Sequence, residues 1–179
     1  MPFQFRSCSL PGLIVISPTV YTDDRGFFME SFKESDFIKA GITERFIQDN
    51  VSRSCEGTLR GLHFQHAPYA QAKLVRCSRG RLWDVAVDIR PGSASYGQWS
   101  GLELSEHNRL IHFLPAGFAH GFLALEDDTE LCYSCSAEYS AEHEGGIRWN
   151  DPELAIAWPS VDVLVSAKDA ALPFLKDLL

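Results

Sequence analysis

Short apolar segments separated by turn-forming residues recur through the middle of the chain, and this pattern limits the fold more than any other feature. From Trp83 to Ile89, apolar residues alternate with Asp84, Ala86 and Asp88, which is the two-residue period of a β-strand. Comparable segments predict further strands at 13–16, 73–77, 98–104, 109–114, 121–125 and 130–136. Many short strands with regular turns are typical of a β-sandwich or barrel.

Turn residues and helix caps complete this outline. Ser78-Arg79-Gly80 separates the strand at 73–77 from the strand that begins at Trp83, which predicts a hairpin. Helical signals are few. Ser35 is predicted to cap a short helix through Ala40 that stops at Gly41, and Ser166 to cap another from 167 towards 172. The expected fold is mainly β with a few short helices.

Composition limits the classes of function. With 179 residues, the chain suits one domain spanning 1–179. Its formal net charge of −8 argues against a general nucleic-acid binder, which needs a basic face. No stretch approaches the roughly 20 apolar residues that cross a bilayer, so no membrane partner is expected.

The cysteines indicate the compartment. There are five of them, an odd number scattered along the chain, which predicts a reducing cytoplasm rather than a disulfide framework. The beginning of the sequence also lacks the profile of a signal peptide. Cys132 and Cys135 form an isolated CxxC pair whose side chains should diverge from a strand, so no zinc or redox site is predicted there.

Two segments each deliver a histidine from a β-rich region. The second, 115–121, matches the PxGxxH element of cupins and carries His120; the first, 60–65, resembles the other cupin element and carries His63. In that element Gln65 replaces the second histidine, and Lys73 stands in the place of the glutamate. Because an ammonium group repels a divalent cation, the resemblance favours a cupin-like jelly-roll β-barrel without a metal.

A metal-free site of this composition suits proton abstraction next to a carbonyl group. A neutral histidine such as His63 can be the base, and Lys73 can stabilise the developing enolate. Tyr133 shares a strand face with Leu131 and Cys135, so it can point into the barrel as an acid. A core aromatic residue is the alternative role for Tyr133, and His112, a lone histidine in a strand, is interpreted as structural.

Over nearly its whole length, the sequence resembles the dTDP-4-dehydrorhamnose 3,5-epimerase family. The resemblance rests on the number, order and spacing of short matching stretches at 24–28, 48–50, 60–65, 73–76, 83–90, 115–121, 144–146, 149–151 and 166–169. It implies an isomerase that needs no cofactor, acts on a dTDP-linked 4-keto-6-deoxy sugar and forms a homodimer.

The same resemblance implies roles for individual residues. His63 would be the base, Asp169 its orienting partner, Tyr133 the opposing acid and Lys73 the enolate support. The implied substrate-binding residues are Arg25, Glu30, Gln48, Asp49, Asn50, Arg60, His120, Tyr139, Glu144 and Lys168. Of these, Tyr139 is the candidate for stacking on the thymine, while Arg25 and Glu30 could enter the site of a partner subunit.

One feature of the pattern conflicts with these roles. Strict alternation puts Arg60 and His63 on opposite faces of one strand. A bulge or bend at Gly61 would reconcile them, or Arg60 would reach the diphosphate from a rim. Three alternative functions also remain open at this point. They are a relative that inverts one centre or isomerises the keto group, a metal-dependent cupin oxygenase, and a non-catalytic sugar-nucleotide binding module.

Overall fold

The computed structural model describes residues 2–159 and 162–178, and these residues form mainly antiparallel β-structure. The prediction of a mainly β, cupin-like fold with a few short helices is confirmed. The strands are β1 (Phe3–Ser7), β2 (Ile14–Pro18), β3 (Val20–Asp23), β4 (Gly26–Met29), β5 (Gln48–Ser54), β6 (Thr58–Gln65), β7 (Lys73–Arg79), β8 (Arg81–Asp88), β9 (Trp99–Ser105), β10 (Ile111–Leu114), β11 (Phe118–Ala124), β12 (Thr129–Cys135), β13 (Glu144–Gly146) and β14 (Leu164–Val165).

Two sheets contain all of these strands except β3 and β4. The first sheet has the order β1-β2-β10-β7-β12-β5 and the second the order β13-β6-β11-β8-β9, with β14 pairing in parallel with β6. The hairpin predicted around Gly80 is wrong, because β7 pairs with β10 and β12 whereas β8 pairs with β9 and β11. Gly80, at a φ of 71°, turns the chain from one sheet into the other.

Apolar side chains are buried on both faces of the sheets, and these side chains form three clusters. The central cluster lies between the sheets and includes Val75, Leu82 and Leu131. A second cluster, around Ile16 and Phe37, covers the outer face of the first sheet. A third packs the segment around Leu154 and Leu175 onto the outer face of the second sheet. The polar residues that alternate along β8 therefore face the interior rather than solvent.

The two α-helices are short. Helix α1 (Glu34–Lys39) begins after Lys33 without a side-chain cap, so the prediction that Ser35 caps it is wrong. Its position follows from burial of Phe37, which is 1% exposed. Helix α2 (Ala167–Ala170) begins as predicted, with the Ser166 side chain accepting a hydrogen bond from the Asp169 backbone. Neither helix has the length and apolar character required to span a lipid bilayer, within the part of the chain described here.

The pairing of β6 with β11 contains a bulge at Gly61. His63 pairs with His120 and Arg60 with Phe122, so β6 carries one more residue than β11 over this stretch. Gly61 has a φ of 125°, and a Cβ atom placed on it would come within 2.6 Å of Gly121 Cα. The bulge brings Arg60 and His63 to the wall of one cavity, where Arg60 remains exposed.

Replacing Gly61 by alanine should therefore destabilise the fold strongly. Gly41 is the control, because it also has a positive φ, of 89°, but a Cβ atom there would meet nothing within 4 Å. Gly41→Ala should cost about 1–3 kcal/mol from the backbone conformation alone, and Gly61→Ala clearly more. Urea unfolding of both variants measures the difference, and equal losses would show that the contact with Gly121 does not constrain β6.

Candidate active site

Two adjoining cavities between the sheets contain most of the predicted site residues. One has a volume of about 330 Å³ and the other of about 210 Å³, and both are lined by His63, Lys73 and Tyr133. The first is also lined by Gln48, Asn50, Phe64, Gln65, Gln71, Cys135, Tyr139 and Glu144, and the second by Ser52, Arg60, His120, Phe122 and Leu131. The fold thus brings together residues that are far apart in the sequence.

Half-buried His63 forms a pair with buried Asp169. The His63 Nε2 atom lies 2.8 Å from Asp169 Oδ1, and Asp169 Oδ2 accepts a hydrogen bond of 3.3 Å from the Gly61 backbone. Asp169 is held in place by the cap at Ser166 and by the pairing of β14 with β6. A neutral imidazole that donates Nε2–H to a carboxylate keeps Nδ1 as its basic nitrogen, so His63 is arranged to accept a proton.

Lys73 and Tyr133 lie on the wall opposite His63. Lys73 is on β7 and Tyr133 on β12, both in the first sheet, whereas His63 is on β6 in the second. The prediction that Tyr133 points into the barrel is confirmed. Burial raises the pKa of the Tyr133 phenol, Cys135 adds to the rise and Arg60 opposes it, so the hydroxyl keeps its proton.

The Lys73 ammonium is buried and has no hydrogen bond or ion pair with another described residue. Burial lowers the pKa of Lys73, while Cys135, Asp84 and Glu144 oppose that effect. A positive group without a partner inside a cavity is suited to stabilise an oxyanion, because no protein carboxylate neutralises it directly.

A chain of hydrogen bonds forms the rim of the larger cavity. Lys168 Nζ lies 2.7 Å from both carboxylate oxygens of Glu144, and the Tyr139 hydroxyl donates to the same carboxylate at 2.8 Å. Gln48 accepts from the Tyr139 backbone at 2.7 Å and donates to Asn50 at 3.0 Å. Burial would raise the pKa of Glu144, but its bonds to Lys168 and Tyr139 hold that pKa below its ordinary value.

Three of the predicted binding residues lie away from these cavities. Asp49 faces the other side of β5, where it bonds to Ser134 and lines a separate groove of about 420 Å³ on the outer face of the first sheet. Arg25 lies in the turn of the β3–β4 hairpin, exposed and paired with Asp23 at 2.6 Å. Glu30 follows β4 and lines neither cavity.

Gln65, at the position of a metal ligand in other cupins, uses its side-chain amide in hydrogen bonds to backbone groups. It donates to the carbonyl oxygens of Tyr69 and Glu138 at 2.7 and 3.1 Å and accepts from the Ser140 backbone at 2.7 Å. This amide ties two loops together. Within residues 2–159 and 162–178, no group of three or more histidine, cysteine or carboxylate side chains is arranged to hold a metal ion.

Asp84 was not among the residues predicted for the site, and His112 was interpreted as structural. Asp84 is fully buried and binds His120 Nε2 at 2.7 Å and His112 Nδ1 at 2.8 Å. An aspartate in an alternating strand resembles a solvent-facing residue, and only the coverage of both sheet faces reveals that it points inward. Cys135, which lines the larger cavity and accepts a weak bond from Asn50 at 3.7 Å, was interpreted only as a reduced thiol.

Three comparisons with known proteins match most of the chain to epimerases of dTDP-linked sugars. The family model for dTDP-4-dehydrorhamnose 3,5-epimerase matches residues 7–177. A protein of that name from Methanothermobacter thermautotrophicus is 51% identical over 170 residues, covering 93% of this chain and 91% of its own length. A solved structure of dTDP-6-deoxy-D-glucose-3,5-epimerase from Legionella pneumophila, in complex with dTDP-4-keto-L-rhamnose, superposes with a TM-score of 0.94. The two are 45% identical, and the match covers 97% of this chain and 93% of that one.

A second solved structure has the same fold but is named for a different activity. It is a 3′-monoepimerase from Streptomyces bikiniensis in complex with dTDP-quinovose, with a TM-score of 0.90 and 35% identity over 94% of this chain and 86% of that one. The fold is therefore shared by enzymes that differ in how many centres they invert. With the match of the family model from residue 7 to residue 177, the chain belongs to the dTDP-4-dehydrorhamnose 3,5-epimerase family.

Proposed function

We propose that this protein inverts C3 and C5 of dTDP-4-dehydro-6-deoxy-D-glucose and releases dTDP-4-dehydro-L-rhamnose. One observation carries the proposal. His63, bound to Asp169 at 2.8 Å, faces Lys73 and Tyr133 across one cavity between the two sheets. NMR analysis of the product formed from this keto sugar tests it directly, since inversion of one centre or a shift of the keto group gives a different spectrum.

The reaction follows from the acidity of protons next to the C4 ketone. His63 removes the proton from C3 or C5, and Asp169 stabilises the imidazolium that forms. The electron pair of the broken C–H bond moves to the ketone oxygen, where Lys73 stabilises the enolate. Tyr133 then donates its proton to the same carbon from the opposite face as the enolate returns to the ketone, which inverts the centre. Before the second carbon reacts, His63 loses its extra proton to water and the Tyr133 phenolate takes one up from water. Repetition at the second carbon then completes the double epimerisation.

The nucleotide would be held by positive and aromatic groups around the cavity. Arg60, whose guanidinium bonds to Ser54 Oγ at 3.2 Å, reaches the smaller cavity and can bind a diphosphate oxygen. Tyr139, fixed to Glu144 through its hydroxyl, can stack on the thymine ring. Lys168, Gln48, Asn50 and His120 complete the proposed binding surface.

The alternative functions predict different results. A mono-epimerase shares the base, the enolate support and the fold, so only product analysis distinguishes it. A metal-dependent oxygenase conflicts with Lys73 in the cavity and with Gln65 bonded to three backbone groups. A binding module without catalysis would leave the substrate protons unexchanged in deuterated water.

We further propose that the protein is a single-domain cytoplasmic enzyme that acts as a homodimer without a cofactor. The β3–β4 hairpin pairs only with itself among the described strands, and it exposes 58% of Tyr21, 56% of Phe27 and 66% of Phe28. An aromatic patch of this kind is typical of a protein interface. In a dimer that buries the hairpin, Arg25 and Glu30 can complete the partner's site.

His63→Ala should abolish the exchange of the C3 and C5 protons with deuterated water. Loss of a positioned general base typically lowers a rate by about 10²–10⁴-fold. Asp169→Asn should act in the same direction by leaving the imidazolium unsupported. His107→Ala, at an exposed turn, is the control and should exchange normally. Exchange at the wild-type rate in His63→Ala would remove this residue from the mechanism.

Tyr133→Phe should separate proton removal from inversion. His63 and Lys73 can still form the enolate, but the proton then returns mostly from the starting face. Deuterium should enter the substrate while the epimerised product decreases sharply, as NMR in deuterated water can follow. Tyr96→Phe, which alters a tyrosine packed on the outer face of the second sheet, is the control. Full retention of both processes would reduce Tyr133 to a packing residue.

Mixing two inactive variants should restore activity if the hairpin completes the partner's site. Arg25→Ala lacks the donated guanidinium and His63→Ala lacks the base, so each homodimer is impaired. After refolding in equal amounts, half of the dimers are mixed and each holds one intact site, which predicts about one quarter of wild-type activity. Mixed dimers without recovered activity would assign Arg25 to its own subunit, and a monomer in solution would overturn the proposed assembly.

A further inference from the structure

The buried carboxylate of Asp84 connects the active site to His112, a residue that lines neither active-site cavity. Asp84, on β8, is completely buried, and its two oxygens bind different imidazoles: Oδ1 meets His120 Nε2 at 2.7 Å and Oδ2 meets His112 Nδ1 at 2.8 Å. His120 and Asp84 belong to the second sheet, whereas His112 is on β10 in the first. The three side chains therefore form a polar bridge across the central apolar cluster.

The two imidazoles differ in their surroundings. His120 lines the smaller cavity and faces Asp84 from β8, His63 from β6 and Lys73 from β7. His112 lines neither active-site cavity, and the groups that face it are Asp84 and the thiol of Cys8. Its Nε2 atom has no hydrogen-bond partner among the described residues, so Cys8 is only a near neighbour of the ring.

Charge in this region has to be distributed among one carboxylate and three basic groups. An isolated carboxylate in an apolar core is strongly unfavourable, so Asp84 needs a positive partner. A proton on His120 would place two cations, imidazolium and Lys73, side by side around one cavity. A proton on His112 compensates Asp84 from the side away from Lys73, which avoids that repulsion.

We propose that His112 is a positioning residue of the active site: it carries the positive charge that compensates Asp84 and thereby keeps His120 neutral beside His63 and Lys73. A neutral His120 must donate Nε2–H to the Asp84 carboxylate, which leaves Nδ1 as a hydrogen-bond acceptor. The bridge thus sets both the charge and the tautomer of a residue in the cavity from the far side of the core.

The electrostatic environment of each group agrees with this distribution. Burial would lower the pKa of His112, but the hydrogen bond to Asp84 and the neighbouring Cys8 raise it to about 9. Burial lowers the pKa of His120, and Lys73 and His112 add to that effect against the attraction of Asp84. Burial would raise the pKa of Asp84, yet its two histidine partners hold it well below the ordinary range.

The consequence for catalysis rests on the proposed function. A sugar hydroxyl can donate to a neutral His120, whereas an imidazolium there would offer a donor where an acceptor is needed. A second acid on the same wall as His63 could also return a proton to the face from which it was removed. Neutral His120 therefore supports both binding of the sugar and inversion by a single acid on the opposite wall.

Nitrogen-15 NMR of the histidine rings tests the charge assignment without any substrate. In the wild-type protein, His112 should keep both ring nitrogens protonated between about pH 6 and 8, while His120 should be the neutral Nε2–H tautomer. A neutral His112 together with a charged His120 would overturn the proposal. This result stands whether or not the protein turns over the keto sugar, so failure of the proposed function would be recognised separately.

Two substitutions separate the charge of His112 from its hydrogen bond. Asparagine in His112→Asn can donate in place of Nδ1–H but carries no charge, and His112→Leu removes both. In each variant the pKa of His120 should rise by about one unit or more, because it becomes the cation that compensates Asp84. In the pH profile of kcat/KM, the acidic limb should then move to higher pH, because activity is recovered only as His120 loses its proton.

Ile111→Val, at the neighbouring position of β10, is the control for altered packing and should leave both titrations unchanged. A merely structural role for His112 would lower stability or the amount of active enzyme without moving the pH profile. If His120 titrates in His112→Asn as it does in the wild-type protein, the hydrogen bond alone is sufficient and the charge assignment is wrong.

Discussion

The close approach of β6 and β11 at Gly61 and Gly121 is the constraint on which the rest of the site depends. Two glycines opposite each other allow the backbones to come nearer than side chains would permit. The extra residue of the bulge brings Arg60 and His63 to the wall of the same cavity. The Gly61 amide, released from the regular ladder, donates to Asp169. One local departure from strand geometry therefore positions His63, Asp169 and Arg60 together.

Much of the fold could be predicted, because strand segments reveal themselves by period and by flanking turn residues. The strand from 81 to 88 and the cap at Ser166 are local features, and local patterns were sufficient for them. The pairing around Gly80 was not predictable in this way. A glycine turn between two strands has the same sequence pattern whether the strands pair with each other or separate into two sheets, and only long-range packing decides between these outcomes.

Residues whose chemistry suits a reaction could be proposed from the sequence. Polar residues of the site that are identified only by their burial could not. The pairing of His63 with Asp169 across about a hundred residues came from the family resemblance, since no spacing rule places them together. Asp84 was missed because its strand is covered on both faces. In such a strand polar alternation no longer marks the solvent side, and a buried carboxylate is recognisable only from the imidazoles that surround it.

The position of Asp169 has a consequence for biosynthesis. β14 and α2 bring this residue to β6 only after every other strand of the two sheets has been translated. Strands of the nascent chain can already pair while His63 still lacks its carboxylate. A polypeptide that stalls on the ribosome before residue 164 therefore lacks both β14 and α2, so the pair between His63 and Asp169 forms only after residues 164–170 have been made.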